Sequence, residues 1–335
     1  MKVLVTGGAG YVGSHAVRAL VDAGHEVLVL DNLCAGHARA VDRRARLIVG
    51  DVGDSALTGS LMARERFDAV MHFAAYIEVG ESVKDPLKFY DNNVGNTVRL
   101  LMQMQRHDIR RMVFSSTCAL YGIPERTPIS EDVPRRPESP YARVKLAVEW
   151  ALADSCAAWG LGFAALRYFN AAGASAAADI GEDHDPETHL IPNVLKVALG
   201  QKDAVMLFGT DYDTPDGTCI RDYIHVEDLA DAHVRALAAL KPGEQRHYNT
   251  GTGHGASVRE VIDAARAVTG HPIPVRECPR RAGDVPRLFA DAGLIRAELG
   301  WTPRFTNLRD IVASAWKWHS THPLGFNDRA AKSAS

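Results

Sequence analysis

The chain has 335 residues, 46% of them hydrophobic and 24% charged, with a formal net charge of −3. This composition excludes disordered, collagen-like and disulfide-scaffold proteins, and the small negative charge does not indicate a nucleic-acid partner. The length favours a large α/β unit with a second, smaller domain. The five cysteines are scattered and contain no C-x-x-C pair, which is typical of a reducing compartment. With no secretory leader and no apolar stretch of membrane-spanning length, we expect a cytoplasmic protein without a membrane partner.

Short apolar runs that end in glycine or polar residues recur through the first half of the chain. They predict strands at 3–5, 26–30, 46–49, 69–73, 112–114 and 163–169, separated by helix-length stretches that include 11–23, 92–106 and 141–159. Such alternation predicts an α/β fold with a Rossmann-type, doubly wound parallel sheet, in which ligands bind beyond the carboxyl ends of the strands. We therefore expect the polar residues at these strand ends to form a single active site.

After Ala172 the alternation loosens, and the segments 181–189, 212–217 and 279–286 have the composition of loops. We predict a first domain over residues 1–171, a smaller mixed α/β domain over 172–330 and a frayed tail over 331–335. The segment 124–140 holds five prolines, so it cannot be helical and is predicted to be a long ordered loop beside the site.

Gly7, Gly10 and Gly13 lie between the first predicted strand and the first predicted helix. Glycines allow the backbone to approach a pyrophosphate, and the helix N-terminus supplies N–H groups and a favourable dipole. Asp31 ends the next strand, where a carboxylate binds the adenosine ribose and repels a 2′-phosphate, which favours NAD over NADP. Asp51 ends the third strand and is positioned to reach the adenine amino group.

Tyr141 and Lys145 are four residues apart and therefore share one helix face. Tyrosine has an ordinary pKa of ~10 and is a poor base at neutral pH, but a nearby ammonium and a positive nicotinamide ring both favour the phenolate. We expect the phenolate to take a proton from a sugar hydroxyl as hydride leaves for NAD. Thr117, which follows Ser115 and Ser116 at the end of another predicted strand, would orient that hydroxyl.

At these residues the chain resembles the extended short-chain dehydrogenases/reductases, and within them the UDP-glucose 4-epimerase family. The glycine spacing is G-x-x-G-x-x-G, and the stretch 216–226 reads DGTCIRDYIHV. The stretches that carry the resemblance are 5–15, 31–33, 79–82, 91–94, 167–170, 216–226 and 280–284.

The resemblance implies that Tyr141 removes the C4 hydroxyl proton of a UDP-sugar while hydride passes to tightly held NAD. The 4-keto sugar then swings about its phosphate link and hydride returns to the opposite face, so that UDP-glucose and UDP-galactose are interconverted. The first domain would bind NAD, the second the nucleotide sugar, and two copies would pair through helices. The residues implied to bind NAD are Gly7, Gly10, Tyr11, Val12, Gly13, Asp31, Asn32, Asp51, Val52, Phe73, Ala74, Ala75, Asn92, Thr117, Tyr141, Lys145 and Phe169. Those implied to bind the UDP-sugar are Thr117, Tyr141, Asn170, Leu190, Phe208, Arg221, Arg281 and Asp284; the guanidinium groups of the two arginines suit a diphosphate.

Three positions depart from the family pattern. Thr117 stands where serine is common, and the hydroxyl is retained. Ile77 stands where some relatives have a lysine near the cofactor, so we expect no lysine contact there. Leu288 stands where some relatives have a bulky tyrosine, and its smaller side chain leaves UDP-N-acetylhexosamines open as substrates.

Other functions and sites were weighed against this interpretation. Epimerisation or decarboxylation of UDP-glucuronate is the nearest enzymatic alternative, and a non-catalytic NAD sensor is the alternative of another class. Cys118 and Ala119 stand where dehydratases carry Asp-Glu, which argues against water elimination. We interpret the imidazoles and carboxylates of His184, His189, Asp183, Asp185 and Glu187 as solvated, with no metal site. The glycines of residues 251–255 indicate a turn before a helix capped by Ser257 rather than a second nucleotide site.

Overall fold

The computed structural model describes residues 1–281 and 284–328; the predicted frayed tail lies outside these residues. The strands are β1 (Lys2–Thr6), β2 (Glu26–Asp31), β3 (Arg46–Val49), β4 (Ala69–His72), β5 (Arg111–Thr117), β6 (Gly162–Tyr168), β7 (Asn170–Ala172), β8 (Val205–Phe208), β9 (Ile220–His225), β10 (Gln245–Thr250), β11 (Gly255–Ser257), β12 (Val275–Cys278) and β13 (Arg287–Leu288). The α-helices are α1 (Tyr11–Asp22), α2 (Ser55–Glu65), α3 (Val79–Lys84), α4 (Pro86–Phe89), α5 (Asn96–Arg106), α6 (Pro140–Trp159), α7 (Leu190–Ala198), α8 (Val226–Ala239), α9 (Val258–Thr269), α10 (Gly293–Leu299) and α11 (Leu308–Thr321).

The main sheet has seven strands in the order β10-β6-β5-β4-β1-β2-β3, and every neighbouring pair is parallel. Side chains alternate across it: Val3 and Val5 pack with α1 and α8 on one face, whereas Leu4 packs with α2, α5 and α6 on the other. Both faces are therefore buried, which explains why the strands are continuously apolar. The predicted doubly wound parallel sheet is confirmed.

The second half of the chain forms a four-stranded sheet of β7, β9, β11 and β13 and a separate pair, β8 and β12. Helices α7, α9 and α11 share a hydrophobic core with these strands. The division at residues 171 and 172 stays a prediction, but the main sheet takes its edge strand β10 from the second segment. The helices of the described residues include none that is both long and apolar enough to cross a membrane.

Two segments beside the site have helix bounds that differ from the predicted ones. The helix predicted over 92–106 is α-helical from Asn96 and is preceded by a π-helical turn, Tyr90–Gly95, which holds Asn92; such turns are frequent at functional sites. The proline-rich segment is irregular up to Ser139, as predicted, but Pro140 is the first residue of α6, where a missing N–H is tolerated.

Candidate active site

The glycine loop follows β1 and leads into α1. Gly7 has a φ of +74°, and a Cβ there would lie 2.4 Å from the nitrogen of Ala74. A Cβ on Gly13 would lie 2.1 Å from the oxygen of Gly7, whereas one on Gly10 would be 3.4 Å from that oxygen. Gly7 and Gly13 are thus required by the packing of the loop itself. Gly10 caps α1 without a side chain, which leaves the helix N-terminus open to an anion.

Asp31 and Asp51 lie where β2 and β3 end. Asp31 is nine-tenths buried, and its carboxylate accepts hydrogen bonds from the backbone N–H of Ala9, at 2.9 Å, and of Leu33, at 2.8 Å. It therefore ties the glycine loop to the end of β2. Asp51 accepts from the side-chain amide of Asn32 at 2.9 Å.

Other residues predicted to line the cofactor follow neighbouring elements of the same sheet. Phe73 and Ala74 follow β4, and the Phe73 ring lies 4.9 Å from that of His233. The Tyr11 hydroxyl donates to the Gly173 carbonyl oxygen at 2.7 Å, which joins the loop to the second half of the chain. Val52 follows β3, Ala75 follows Ala74, Val12 lies in α1, and Phe169 follows β6.

Tyr141 and Lys145 occupy one face of α6, as their spacing predicts. The Thr117 side chain acts on the pKa of the Tyr141 hydroxyl, so the two groups lie close together, and Lys145 Nζ donates to the Ser115 carbonyl oxygen at 2.9 Å. The backbone N–H of Tyr141 donates to Ser82 Oγ at 3.1 Å. The three predicted catalytic residues, Tyr141, Lys145 and Thr117, therefore lie together at the carboxyl end of β5.

Burial shifts the pKa of both titratable side chains of this group. It raises the pKa of Tyr141, and Tyr168 and Cys118 raise it further, against a lowering by Thr117. Burial also lowers the pKa of Lys145 to about 7. The prediction that the Lys145 ammonium and a nicotinamide ring together favour the phenolate stays a prediction.

The residues predicted to bind the UDP-sugar come from separate elements. The Arg281 guanidinium lies over the Phe208 ring, 3.8 Å from its centroid. Arg221, in β9, is 3.6 Å from the Asp284 carboxylate and donates to the Val285 carbonyl oxygen at 2.6 Å. Two pairs, Arg281 with Phe208 and Arg221 with Asp284, thus form across the ends of β8 and β9. Asn170 lies in β7 and donates to the Asp222 carbonyl oxygen, and Leu190 begins α7.

Asp222 is a fully buried residue that the sequence analysis did not single out as part of the site. Its carboxylate accepts from the backbone N–H groups of Thr252, Gly253 and Ala290. The N–H groups of the turn at 251–255 are therefore directed at a carboxylate of the protein itself. Ser257 caps α9 with a capping box, as predicted. Asp222 could have been identified from the sequence by its position beside Arg221, in a stretch that resembles the family.

In the cluster of Glu182, His184, Glu187 and His189 the two carboxylates are buried, so the predicted solvation is wrong for Glu187, whereas the His189 side chain is 40% exposed. The carboxylate side chains of Glu182 and Glu187 are 4% and 2% exposed. His189 Nδ1 is 2.7 Å from the Glu182 carboxylate, which raises the pKa of the imidazole against the opposing effect of burial. The four ligand atoms lie within 4.8 Å of one another. Paired charges account for the burial of the carboxylates, and the absence of a metal here stays a prediction.

Known proteins match this chain over most of its length. Residues 3–251 match the family model described as the NAD dependent epimerase/dehydratase family. The chain is 51% identical over 330 residues to a UDP-glucose 4-epimerase of Lactobacillus helveticus, covering 98% of this chain and 100% of that protein. A crystal structure of a UDP-glucose 4-epimerase is 47% identical with a TM-score of 0.95, covering 98% of this chain and 100% of that chain. A UDP-glucose 4-epimerase of Bifidobacterium longum, solved in complex with NAD+ and UDP, is 40% identical with a TM-score of 0.93, covering 97% and 100%. The chain belongs to the NAD dependent epimerase/dehydratase family.

Proposed function

We propose that this chain is an isomerase that interconverts UDP-glucose and UDP-galactose by inverting C4, with NAD held tightly throughout. The observation that carries the proposal is the grouping of Tyr141, Lys145 and Thr117 at the carboxyl end of β5, where Lys145 Nζ donates to the Ser115 carbonyl oxygen at 2.9 Å, in the sheet whose β1 leads into the glycine loop. The likeness to UDP-glucose 4-epimerases over 98% of the chain supports the same reaction.

The residues at the strand ends suit NAD. Gly10 leaves the N-terminus of α1 open to the pyrophosphate, and the buried Asp31 carboxylate suits an unphosphorylated ribose. Asp51 with Asn32 faces the adenosine end, and Asn92, Phe73 and Phe169 line the remainder. When bound, NAD would supply a reversible hydride acceptor for C4.

Tyr141 is the proposed proton acceptor for the C4 hydroxyl and its donor in the return step. Thr117 orients that hydroxyl through a second hydrogen bond. Because burial keeps the tyrosine protonated in the protein alone, its deprotonation needs a positive charge beside the ring, which an oxidised nicotinamide carries. Lys145 adds to this field in the fraction of molecules in which it is protonated.

The substrate side must hold UDP firmly and leave the sugar free to present either face. Arg221 and Arg281 suit the diphosphate because guanidinium groups pair with its oxygens. Phe208 and Leu190 offer apolar surfaces to the uracil ring, and Asn170 and Asp284 complete the set.

The test is to incubate the pure protein with UDP-galactose, UDP-N-acetylgalactosamine and UDP-glucuronate, without added cofactor, and to separate the products by chromatography. We expect UDP-glucose from the first. Conversion of the N-acetylated sugar at a comparable rate would extend the substrate range, as the small Leu288 side chain allows. No conversion of any sugar would contradict the proposal and favour an NAD sensor.

We also propose a homodimer located in the cytoplasm. Helices α3 to α6 pack together and expose large apolar side chains: Val83 at 64%, Leu87 at 76%, Met102 at 47% and Trp150 at 58%. A second copy would cover such a face. The five cysteines all lie within the described residues and form no disulfide there, which agrees with a reducing compartment. Sedimentation should give twice the chain mass, and Leu87→Glu with Trp150→Glu should give monomers.

A further inference from the structure

Behind the catalytic residues, α6 carries a third polar side chain on the same face. Tyr141, Lys145 and Glu149 follow one another at intervals of four residues, so they form one row along the helix. The Glu149 side chain is 1% exposed, and that of Arg167, in β6, is 2% exposed. The mechanism proposed above uses neither of them.

Glu149 joins α6 to two neighbouring strands. Arg167 donates to both of its carboxylate oxygens, at 3.0 and 2.6 Å, and Ser116 Oγ donates to one of them at 2.6 Å. Ser116 and Arg167 are direct partners in the β5–β6 register. Thr117 is the next residue of β5, so this attachment lies one residue from the catalytic hydroxyl.

Glu149 and Arg167 are also linked by hydrogen bonds to the segment that follows Thr117. Arg167 Nη1 donates to the Tyr121 hydroxyl at 2.9 Å, and that hydroxyl donates to Asn249, in β10, at 2.7 Å. Tyr121 ends the 3₁₀ turn Cys118–Tyr121. The network therefore contacts the helix that carries Tyr141 and both sides of Thr117 along the chain.

Glu149 is ionised in this environment. Burial by itself would raise the pKa of its carboxyl, but the hydrogen bonds and charge of Arg167, together with Ser116 and His247, hold it below its ordinary value. Arg135 and His247 approach the same carboxylate at 3.8 and 3.7 Å. The pair is thus a buried bidentate ion pair with the geometry that makes such bonds directional.

We infer that the Glu149–Arg167 pair is a positioning device that sets α6 against β5 so that Tyr141 and Thr117 meet the same sugar hydroxyl. Apolar packing of Val144, Val148 and Leu152 buries the helix but is non-directional and tolerates small slides. A buried ion pair is seldom needed for stability, since well-packed apolar residues often replace it without loss. A misplacement of about 1 Å in a reacting group, in contrast, costs up to about 100-fold in rate.

The test uses three variants and one control, and it rests on the proposed epimerase function. Glu149→Gln removes the charge, Ser116→Ala removes one attachment to β5, and the double variant E149M/R167M removes both charges while refilling the volume. Asp154→Asn, at an exposed position of the same helix, is the matched control. For each we would measure kcat and KM for UDP-galactose, bound NAD per subunit and the free energy of unfolding.

We expect kcat to fall about 10- to 100-fold in Glu149→Gln and in the double variant, and severalfold in Ser116→Ala, with KM and bound NAD within twofold of wild type. The double variant should recover stability without recovering kcat, which a purely structural role would not produce. If Glu149→Gln does not fold, the kcat values of the double variant and of Ser116→Ala test the positioning role instead. A wild-type kcat in either of these, or in a folded Glu149→Gln, would overturn the positioning role. Wild type is assayed in the same reaction, so its failure to turn over would instead overturn the proposed function.

Discussion

The cofactor side and the nucleotide-sugar side of the site are assembled in different ways. On the cofactor side, most candidate residues lie at or just after the ends of β1 to β6, strands of one parallel sheet. On the nucleotide-sugar side they come from β7, α7, β8, β9 and the loop before β13. Parallel strands bring their carboxyl ends to one edge automatically, whereas separate elements need side-chain links such as the Asp222 carboxylate. Substitutions on the cofactor side should therefore change the backbone geometry or the chemical step. Substitutions on the nucleotide-sugar side should change the affinity for the nucleotide.

The largest effect is expected at the junction of the two sides. Tyr141→Phe removes the proton acceptor and should lower kcat by roughly 10² to 10⁴-fold, because a phenyl ring cannot exchange a proton. Chromatography of UDP-galactose turnover measures this, with bound NAD per subunit as the control for folding. Epimerisation by the variant at near the wild-type rate would remove Tyr141 from its role.

Within the cofactor side, Gly13 and Gly10 of the glycine loop should respond differently to substitution by alanine. Gly13→Ala places a Cβ 2.1 Å from the Gly7 oxygen, whereas Gly10→Ala places one at 3.4 Å. We expect Gly13→Ala to lose bound NAD and about 1–3 kcal/mol of stability, and Gly10→Ala to keep the protein's own stability. Unfolding curves and the NAD content of the purified variants provide the measurement; equal stability losses in both would contradict the assigned packing.

The nucleotide-sugar side should respond through KM. Arg221→Gln removes a charge from the proposed diphosphate site, and charge-assisted hydrogen bonds contribute about 1.5–3 kcal/mol, so KM for UDP-galactose should rise about 10- to 100-fold with NAD retained. Arg280→Gln is the matched control, since Arg280 is half-exposed and pairs with Asp211. A rise in KM equal in the two variants would show that the effect is not specific to the site.

The smallest expected effect concerns stability and pH. Burial lowers the pKa of Lys145 to about 7 from an ordinary 10.5, so between these values the unfolded chain binds more protons than the folded one. The free energy of unfolding should therefore rise with pH in this window, by at most about 1.4 kcal/mol per pH unit from this group. Lys145→Met should lack that contribution, and its stability relative to wild type should fall from pH 7 to pH 9 in denaturant titrations. Parallel pH profiles would show that Lys145 is not desolvated.

Much of the cofactor side could be predicted from local pattern. Gly7, Gly10 and Gly13 stand at a strand-to-helix junction, Asp31 ends the next strand, and Tyr141 and Lys145 share a helix face. Each of these inferences needs only the period of a strand or a helix and the rule that ligands bind at the carboxyl ends of parallel strands. The seven-stranded sheet was predictable in type for the same reason.

Other features depended on contacts between residues far apart in the chain. No local periodic signal indicates the recruitment of β10 into the main sheet, the Asp222 links, the Glu149–Arg167 pair or the burial of Glu182 and Glu187. Burial also raises the pKa of Tyr141 and lowers that of Lys145, because a pKa depends on the surrounding dielectric and on neighbouring charges rather than on sequence spacing. The sequence by itself determined which elements form and which chemical groups they carry, since hydrophobic periodicity and turn residues act locally. Only the tertiary structure decided which of those groups meet, and in which protonation state, because packing sets the distances and the exclusion of water.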